Sequence, residues 1–201
     1  MKKIVITGCL GYIGSELCKL YSGLSWKYEI VGIDKRFVSE RVNELKRRKI
    51  KFIQADILNL EEVKEQIQKA DVVHHLAGIT DVAYVKKDTN KEQDELISRV
   101  AIQGTENVLN SMNEKATIVF PSTHVVFEGL KEQKENLDEN EKTNTFLAYS
   151  TSKVENEKQI QNSGKKFAIF RLGSVYGFST DTMRINIMPN LFSKIASQNG
   201  K

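Results

Sequence analysis

Tyr149 and Lys153 stand four residues apart in a stretch of helical pattern, so their side chains share a face. A phenol is a poor base at its ordinary pKa of about 10, and an ammonium group beside it favours the phenolate. Such a pair can take a proton from an alcohol while a neighbouring nicotinamide takes the hydride. Thr123 ends the run Ala116-Thr117-Ile118-Val119-Phe120-Pro121-Ser122-Thr123 and supplies a hydroxyl that can orient the same substrate oxygen. A second chemistry-bearing stretch lies at the front of the chain, where Thr7 precedes Gly8, Gly11 and Gly14. Gly8 permits a tight turn, Gly11 lets backbone approach a pyrophosphate, and Gly14 allows close packing of helix on strand. The N–H groups and positive dipole end of the following helix favour an anion. Each motif also has a bland reading: Tyr-x-x-x-Lys is common on helix faces, and three glycines can serve a ligand-free turn.

These residues need a scaffold, and the apolar pattern supplies one. Ile4 to Ile6 reads as a buried parallel strand, and residues 15–21 as a helix with Ile13, Leu17 and Leu20 on one face. Residues 28–34 predict a second strand ending at Asp34, about 20 residues past the glycine turn, where a carboxylate can accept hydrogen bonds from ribose hydroxyls. Its charge would repel a 2′-phosphate, which favours NAD over NADP, although Lys35 and Arg36 follow at once. A helix-capping Asp34 is the alternative.

Further along, residues 39–49 read as a helix with Val42 and Leu45 as its apolar contacts, and 51–57 as a short strand carrying Asp56 at its end. Residues 60–69 carry Leu60, Val63 and Ile67 at helical spacing, and 71–78 form a strand and turn. A long helical stretch over 81–112 is broken near 88–90. The fifth strand is 116–123, and 128–145 is a solvated loop with a short helix. A helix then runs from Tyr149 to about Asn162, with Gly164 as its stop. A sixth strand covers 166–172, and 185–196 is a last helical candidate. Strands alternating with helices indicate an α/β, doubly wound parallel sheet with helices on both faces, whose ligands bind at the C-terminal ends of the strands.

Composition narrows the classes. The 201 residues suit one domain, and 40% hydrophobic with 28% charged residues is ordinary for a globular chain. The net charge of +4 is mild and the lysines are spread among glutamates, so no basic face argues for nucleic acid. No apolar run is long enough to cross a membrane, and Met1 leads directly into a core strand with no signal peptide before it. Cys9 and Cys18 make no disulfide framework and read as reduced thiols, which suggests a cytoplasmic protein. His74 and His75 are neighbours on a strand and point to opposite faces, and no Cys/His/Asp cluster completes a metal site.

Thr7-Gly8-x-x-Gly11-x-x-Gly14, Asp34, Ser122-Thr123 and Tyr149-x-x-x-Lys153, in that order, resemble the extended short-chain dehydrogenases/reductases, and among them the NAD-dependent epimerase/dehydratase family. The likeness covers nearly the whole chain, and the stretch from Arg171 to Gly177 resembles the family's Arg-x-x-x-Val-Tyr-Gly. The resemblance implies a Rossmann fold and a bound NAD. It implies that Thr7, Gly8, Gly11, Tyr12, Ile13 and Gly14 meet the pyrophosphate half, and that Asp34, Lys35, Asp56 and Ile57 meet the adenosine. Leu76, Ala77 and Gly78, from the strand-four signature, would pass close to the cofactor, as would Tyr149 and Lys153. Thr123, Tyr149 and Lys153 would be catalytic, with Thr123 and Asn186 touching substrate; a plain helix-capping Asn186 is equally compatible. Ala101 stands where many relatives have an Asn that helps hold the lysine.

Members mostly act on nucleotide sugars. A hydride leaves a sugar carbon, and the keto intermediate is re-reduced or changed further. Relatives that dehydrate carry Thr-Asp-Glu where this chain has Thr123-His124-Val125, and a valine cannot act as acid or base. The resemblance therefore implies a nucleotide-sugar epimerase that works as a homodimer. A reductase or dehydrogenase of another alcohol, and a catalytically silent NAD-binding regulatory protein, remain open. Residues 1–180 are expected to form the dinucleotide-binding domain and 181–201 the start of a substrate lobe that the chain largely lacks. On that expectation these residues are not a whole enzyme, and Ile187, Leu191 and Ile195 are poorly covered.

Overall fold

Strand β1 (Lys2–Thr7) is buried from Lys3 onward, as a strand in the middle of a covered sheet must be. The computed structural model describes residues 1–80, 90–179 and 182–199. Five more strands join β1: β2 (Tyr28–Asp34), β3 (Lys51–Gln54), β4 (Val72–His75), β5 (Thr117–Thr123) and β6 (Lys166–Leu172). They pair in parallel in the order β3-β2-β1-β4-β5-β6. The chain winds outward from β1 to β3 and then resumes on the other side at β4. This reversal opens a crevice beyond the C-terminal ends of β1 and β4.

Helices α1 (Tyr12–Ser22) and α2 (Ser39–Arg47) cover one face, and α3 (Leu60–Ile67), α4 (Lys91–Ser111) and α5 (Ala148–Gln161) the other. Alternation along β1 feeds both cores. Ile4 and Ile6 pack with Cys18, Val42 and Leu45, while Val5 packs with Val63, Val108 and Ile160. A last helix, α6 (Met188–Asn199), follows β6.

The structure differs from the sequence reading in four places. On α1, Ile13 and Leu20 are exposed, and the buried face is Gly14 and Cys18, with Leu17 and Tyr21 packed against it. The cause is Gly14: a Cβ there would lie 2.2 Å from the Gly8 carbonyl oxygen, so this close approach sets the rotation of the helix. Gly8 itself has φ +71°, and a Cβ on it would stand 2.8 Å from the Ala77 nitrogen at the end of β4. Strand β3 ends at Gln54, two residues before Asp56. Helix α4 begins at Lys91, after the break expected near 88–90, where Asn90 caps it by accepting from the Glu92 and Gln93 N–H groups; residues 81–89 of the expected helical stretch lie outside the described residues. No helix forms over 128–145; a 3-10 turn, His124–Phe127, precedes that loop. Helix α6 starts three residues later than expected, at Met188.

Candidate active site

The C-terminal ends of β1, β2, β4, β5 and β6 open onto one cleft of about 750 Å³. Gly8, Gly11, Tyr12, Ile13 and Gly14 form one wall. Gly11 brings no capping side chain to α1, so the first-turn N–H groups on that wall are available to an anion. This cradle, too tight for a Cβ at Gly8 or Gly14, fits a pyrophosphate. Farther out, Asp34, Lys35, Asp56 and Ile57 line the same cleft. The Asp34 carboxylate is buried and already engaged. It accepts from the Leu10 N–H at 3.1 Å, and from the Arg36 N–H and guanidinium at 3.0 to 3.3 Å. The Asp56 carboxylate caps the Leu58 N–H and lies 4.0 Å from the Lys35 ammonium.

Leu76, Ala77 and Gly78 form the floor. Thr7 does not line the cleft. It is fully buried, and its hydroxyl accepts from the Ala77 N–H at 3.2 Å and lies 2.9 Å from His75 Nδ1. His75 Nε2 in turn meets the Thr105 hydroxyl of α4 at 3.1 Å. Burial, with the Lys153 charge adding to it, holds the imidazole down to about 3, so it is neutral. The network closes when Thr7 donates to Nδ1 and Nε2–H donates to Thr105. Thr7 thus holds the floor rather than touching what sits on it, because odd-numbered β1 side chains face the α3–α5 core. His74 points the other way and meets the Tyr21 hydroxyl at 2.8 Å.

Thr123, Tyr149 and Lys153 line the cleft together. Thr123 closes β5, and Tyr149 and Lys153 share one face at the start of α5. Burial pushes the Tyr149 phenol up; the Arg184 charge and the Thr123 hydroxyl pull it down. The Lys153 ammonium donates to the Pro121 carbonyl at 2.8 Å, 4.3 Å above the Phe120 ring. It meets Tyr149 over the ring, at 5.8 Å, rather than at the hydroxyl. The ammonium thus stands beside the phenol, with the β5 backbone as its hydrogen-bond acceptor. Burial lowers the ammonium to about 8, against the opposing charge of Glu157. The Ala101 carbonyl accepts from the Asn156 side chain at 3.0 Å.

Asn186 is exposed in the turn before α6 and does not line the cleft; Arg184 and Ile187, on either side, do. Sequence reasoning missed Arg184, whose position depends on how the chain returns after β6. The return is tied to the glycine turn. The Tyr12 hydroxyl donates to the Gly177 carbonyl at 2.5 Å, Ser15 meets Thr182 at 3.0 Å, and Ser179 donates to Glu16 at 2.6 Å. Among the described residues no group of three or more His, Cys, Asp or Glu could hold a metal ion, and no helix is long and apolar enough to cross a membrane.

Known proteins resemble this chain in sequence and fold. The model of the NAD dependent epimerase/dehydratase family matches residues 4–200. A dTDP-D-glucose 4,6-dehydratase of Dictyostelium discoideum is 30% identical over 199 residues, covering 88% of this chain and 44% of that protein. A Bacillus subtilis (strain 168) protein described as an uncharacterized UDP-glucose epimerase is 28% identical over 190 residues, covering 87% and 57%. Among solved structures, the UDP-glucuronic acid 4-epimerase of Bacillus cereus, in complex with UDP-glucuronic acid and NAD, superposes with a TM-score of 0.77 at 25% identity, covering 98% of this chain and 63% of that one. The Thermus thermophilus UDP-glucose 4-epimerase, in complex with NAD, gives 0.75 at 22% identity, covering 96% and 61%. The chain therefore spans less than two thirds of the length of these relatives. With a family match that runs almost end to end over a doubly wound sheet, the chain belongs to the NAD dependent epimerase/dehydratase family.

Proposed function

We propose that this chain carries the NAD-binding half of a nucleotide-sugar epimerase. The observation that carries the reading is one cleft shared by the glycine cradle and by Thr123, Tyr149 and Lys153. NAD bound there would supply the redox chemistry, as an acceptor and then a donor of hydride. The first turn of α1 would hold the pyrophosphate, Asp34 the adenosine ribose, and Ala77 and Gly78 the floor under the nicotinamide half. Tyr149 would take the proton from the sugar hydroxyl and later return it to the same oxygen. Thr123 orients the oxygen, and the Lys153 charge favours the phenolate.

Epimerisation is favoured over dehydration by the residues after Thr123. Val125 has no group to give or take a proton, and the His124 imidazole is bound to the Leu172 carbonyl at 3.1 Å. Residues 1–180 would be the cofactor unit, with 181–201 opening the substrate lobe. A homodimer belongs to this reading, supported by Met188, Phe192 and Ile195 exposed along α6; sedimentation velocity checks it. The main test is a panel of nucleotide sugars, including UDP-glucose and UDP-glucuronic acid, run on this chain and on any longer product of the same reading frame. An epimer that forms without accumulation of NADH supports the proposal. Stoichiometric NADH would show a dehydrogenase, and a 4-keto-6-deoxy product a dehydratase.

A further inference from the structure

Glu157 continues the Tyr149–Lys153 face of α5 by one more turn, since residues four apart are neighbours on a helix. It is a buried carboxylate, 5% exposed, and three donors converge on it. The Ser122 hydroxyl and Arg171 Nε, the latter at 3.1 Å, reach Oε1, and Arg171 Nη2 reaches Oε2 at 2.8 Å. Three successive residues of β5 serve the two charges: the Phe120 ring and Pro121 carbonyl hold the Lys153 ammonium, and the Ser122 hydroxyl holds Glu157. Burial of an ion pair returns little net stability, and this one lies one helical turn from the ammonium.

We infer that Glu157 is a positioning residue for Lys153: fixed by Arg171 and Ser122, its carboxylate is the counter-charge that keeps Lys153 an ammonium beside Tyr149. The inference rests on the proposed role of the Tyr149–Lys153 pair. The other groups around Lys153 leave it this role. Strand β4 brings His75, which is neutral. Strand β5 brings a ring, a carbonyl and the hydroxyls of Ser122 and Thr123. Strand β6 brings Arg171, a cation, and Arg184 acts on Tyr149 from the cleft side. Helix α4 meets α5 through the Ser98 hydroxyl and the Ala101 and Ile102 carbonyls. Among these described residues Glu157 is the only carboxylate. Its charge opposes the loss of Lys153's proton, which burial promotes. Without that charge, these neighbours of Lys153 would all be neutral or cationic.

The test is titration of Lys153 in the cofactor-free chain, read from the carbon-13 signal of its Cε after lysine labelling and assigned by its absence in Lys153→Met. Glu157→Gln keeps an acceptor oxygen for Ser122 and Arg171 Nε, gives up the one for Arg171 Nη2 and removes the charge, so the Lys153 midpoint should fall by about one pH unit or more. Glu157→Asp should recover most of it. Arg171→Gln, which strips the cation from Glu157, should move the midpoint upward. A purely structural ion pair would lower the urea midpoint of both variants and leave the Lys153 titration where it was, and that result overturns the inference. Should Glu157→Gln fail to fold, an unmoved or lowered midpoint in Arg171→Gln overturns it equally. The titration needs no substrate, so failure of the epimerase reading would leave its outcome standing.

Discussion

At the scale of single residues, the proposed chemistry turns on Tyr149. Replacing it by Phe removes one oxygen from the cleft wall and leaves the glycine cradle untouched. NAD affinity, by calorimetry, should stay within a few-fold, while turnover falls by ~10²–10⁴, the usual contribution of general acid–base catalysis. Wild-type turnover in the Phe variant would remove Tyr149 from the mechanism. Asp34 makes a second prediction. Its carboxylate holds the Arg36 guanidinium in place. Asp34→Asn gives up the charge that would repel a 2′-phosphate and frees a cation that would attract one. A charge-assisted hydrogen bond contributes roughly 1.5–3 kcal/mol, so the NAD-to-NADP affinity ratio should drop on the order of 10- to 100-fold. An unchanged ratio would mean that Lys35 and Arg41, which line the same end of the cleft, already set the preference.

That Thr123, Tyr149 and Lys153 would meet in one cleft was legible, because their spacing and order carry meaning without coordinates. Glu157 and Arg171 as a pair, and Arg184 beside Tyr149, were not. Charges on a helix read as a solvated face until the strand that neutralises them is in place.

At the scale of elements, β2 and β6 run between the residues that the sequence indicates, because β-branched and aromatic runs bounded by polar residues leave little choice. The rotation of α1 was not legible. Apolar spacing points to Ile13, Leu17 and Leu20, but the contact that decides the rotation is made by a residue with no side chain. This yields a stability prediction. In an exposed helix, Gly→Ala stabilises by up to about 1 kcal/mol. At Gly14 the new methyl would meet the Gly8 carbonyl and the Cys9 Cα. Overpacking of this kind typically costs about 1–3 kcal/mol, and here it falls on backbone, which cannot turn aside. Gly14→Ala should lower the urea midpoint and weaken NAD binding together. Gly23→Ala, whose Cβ would have its nearest neighbour at 3.6 Å, should do neither. A Gly14→Ala protein as stable as the parent would show that α1 can slide on β1.

At the scale of the whole molecule, His75 links the site to the stability of the fold. It ties the end of β1 to α4 through Thr7 and Thr105, in the larger of the two cores. The folded imidazole is held down to about 3, whereas an unfolded chain offers the ordinary value of about 6.5. Between those values the unfolded state binds the extra proton, so stability falls as pH falls through this window. Above about 6.5 both states are neutral at this residue and no dependence arises from it. Within the window the slope is about 1.4 kcal/mol per pH unit for one group. His74 is lowered by burial and Glu16 and Glu44 by their hydrogen-bonded partners, all of which also lose stability in acid. The wild-type slope is therefore a sum, and the useful quantity is a difference. His75→Gln keeps an acceptor and a donor in the network and cannot take the proton. Urea unfolding of both proteins from about pH 7 to about pH 4 should give a variant that is less stable at neutral pH and loses less on acidification. The gap between the two should narrow by roughly 1 kcal/mol for each unit below about 6.5. Parallel stability curves would mean that the cavity admits the imidazolium, and that the Thr7–His75–Thr105 chain is not what couples the cleft floor to the core.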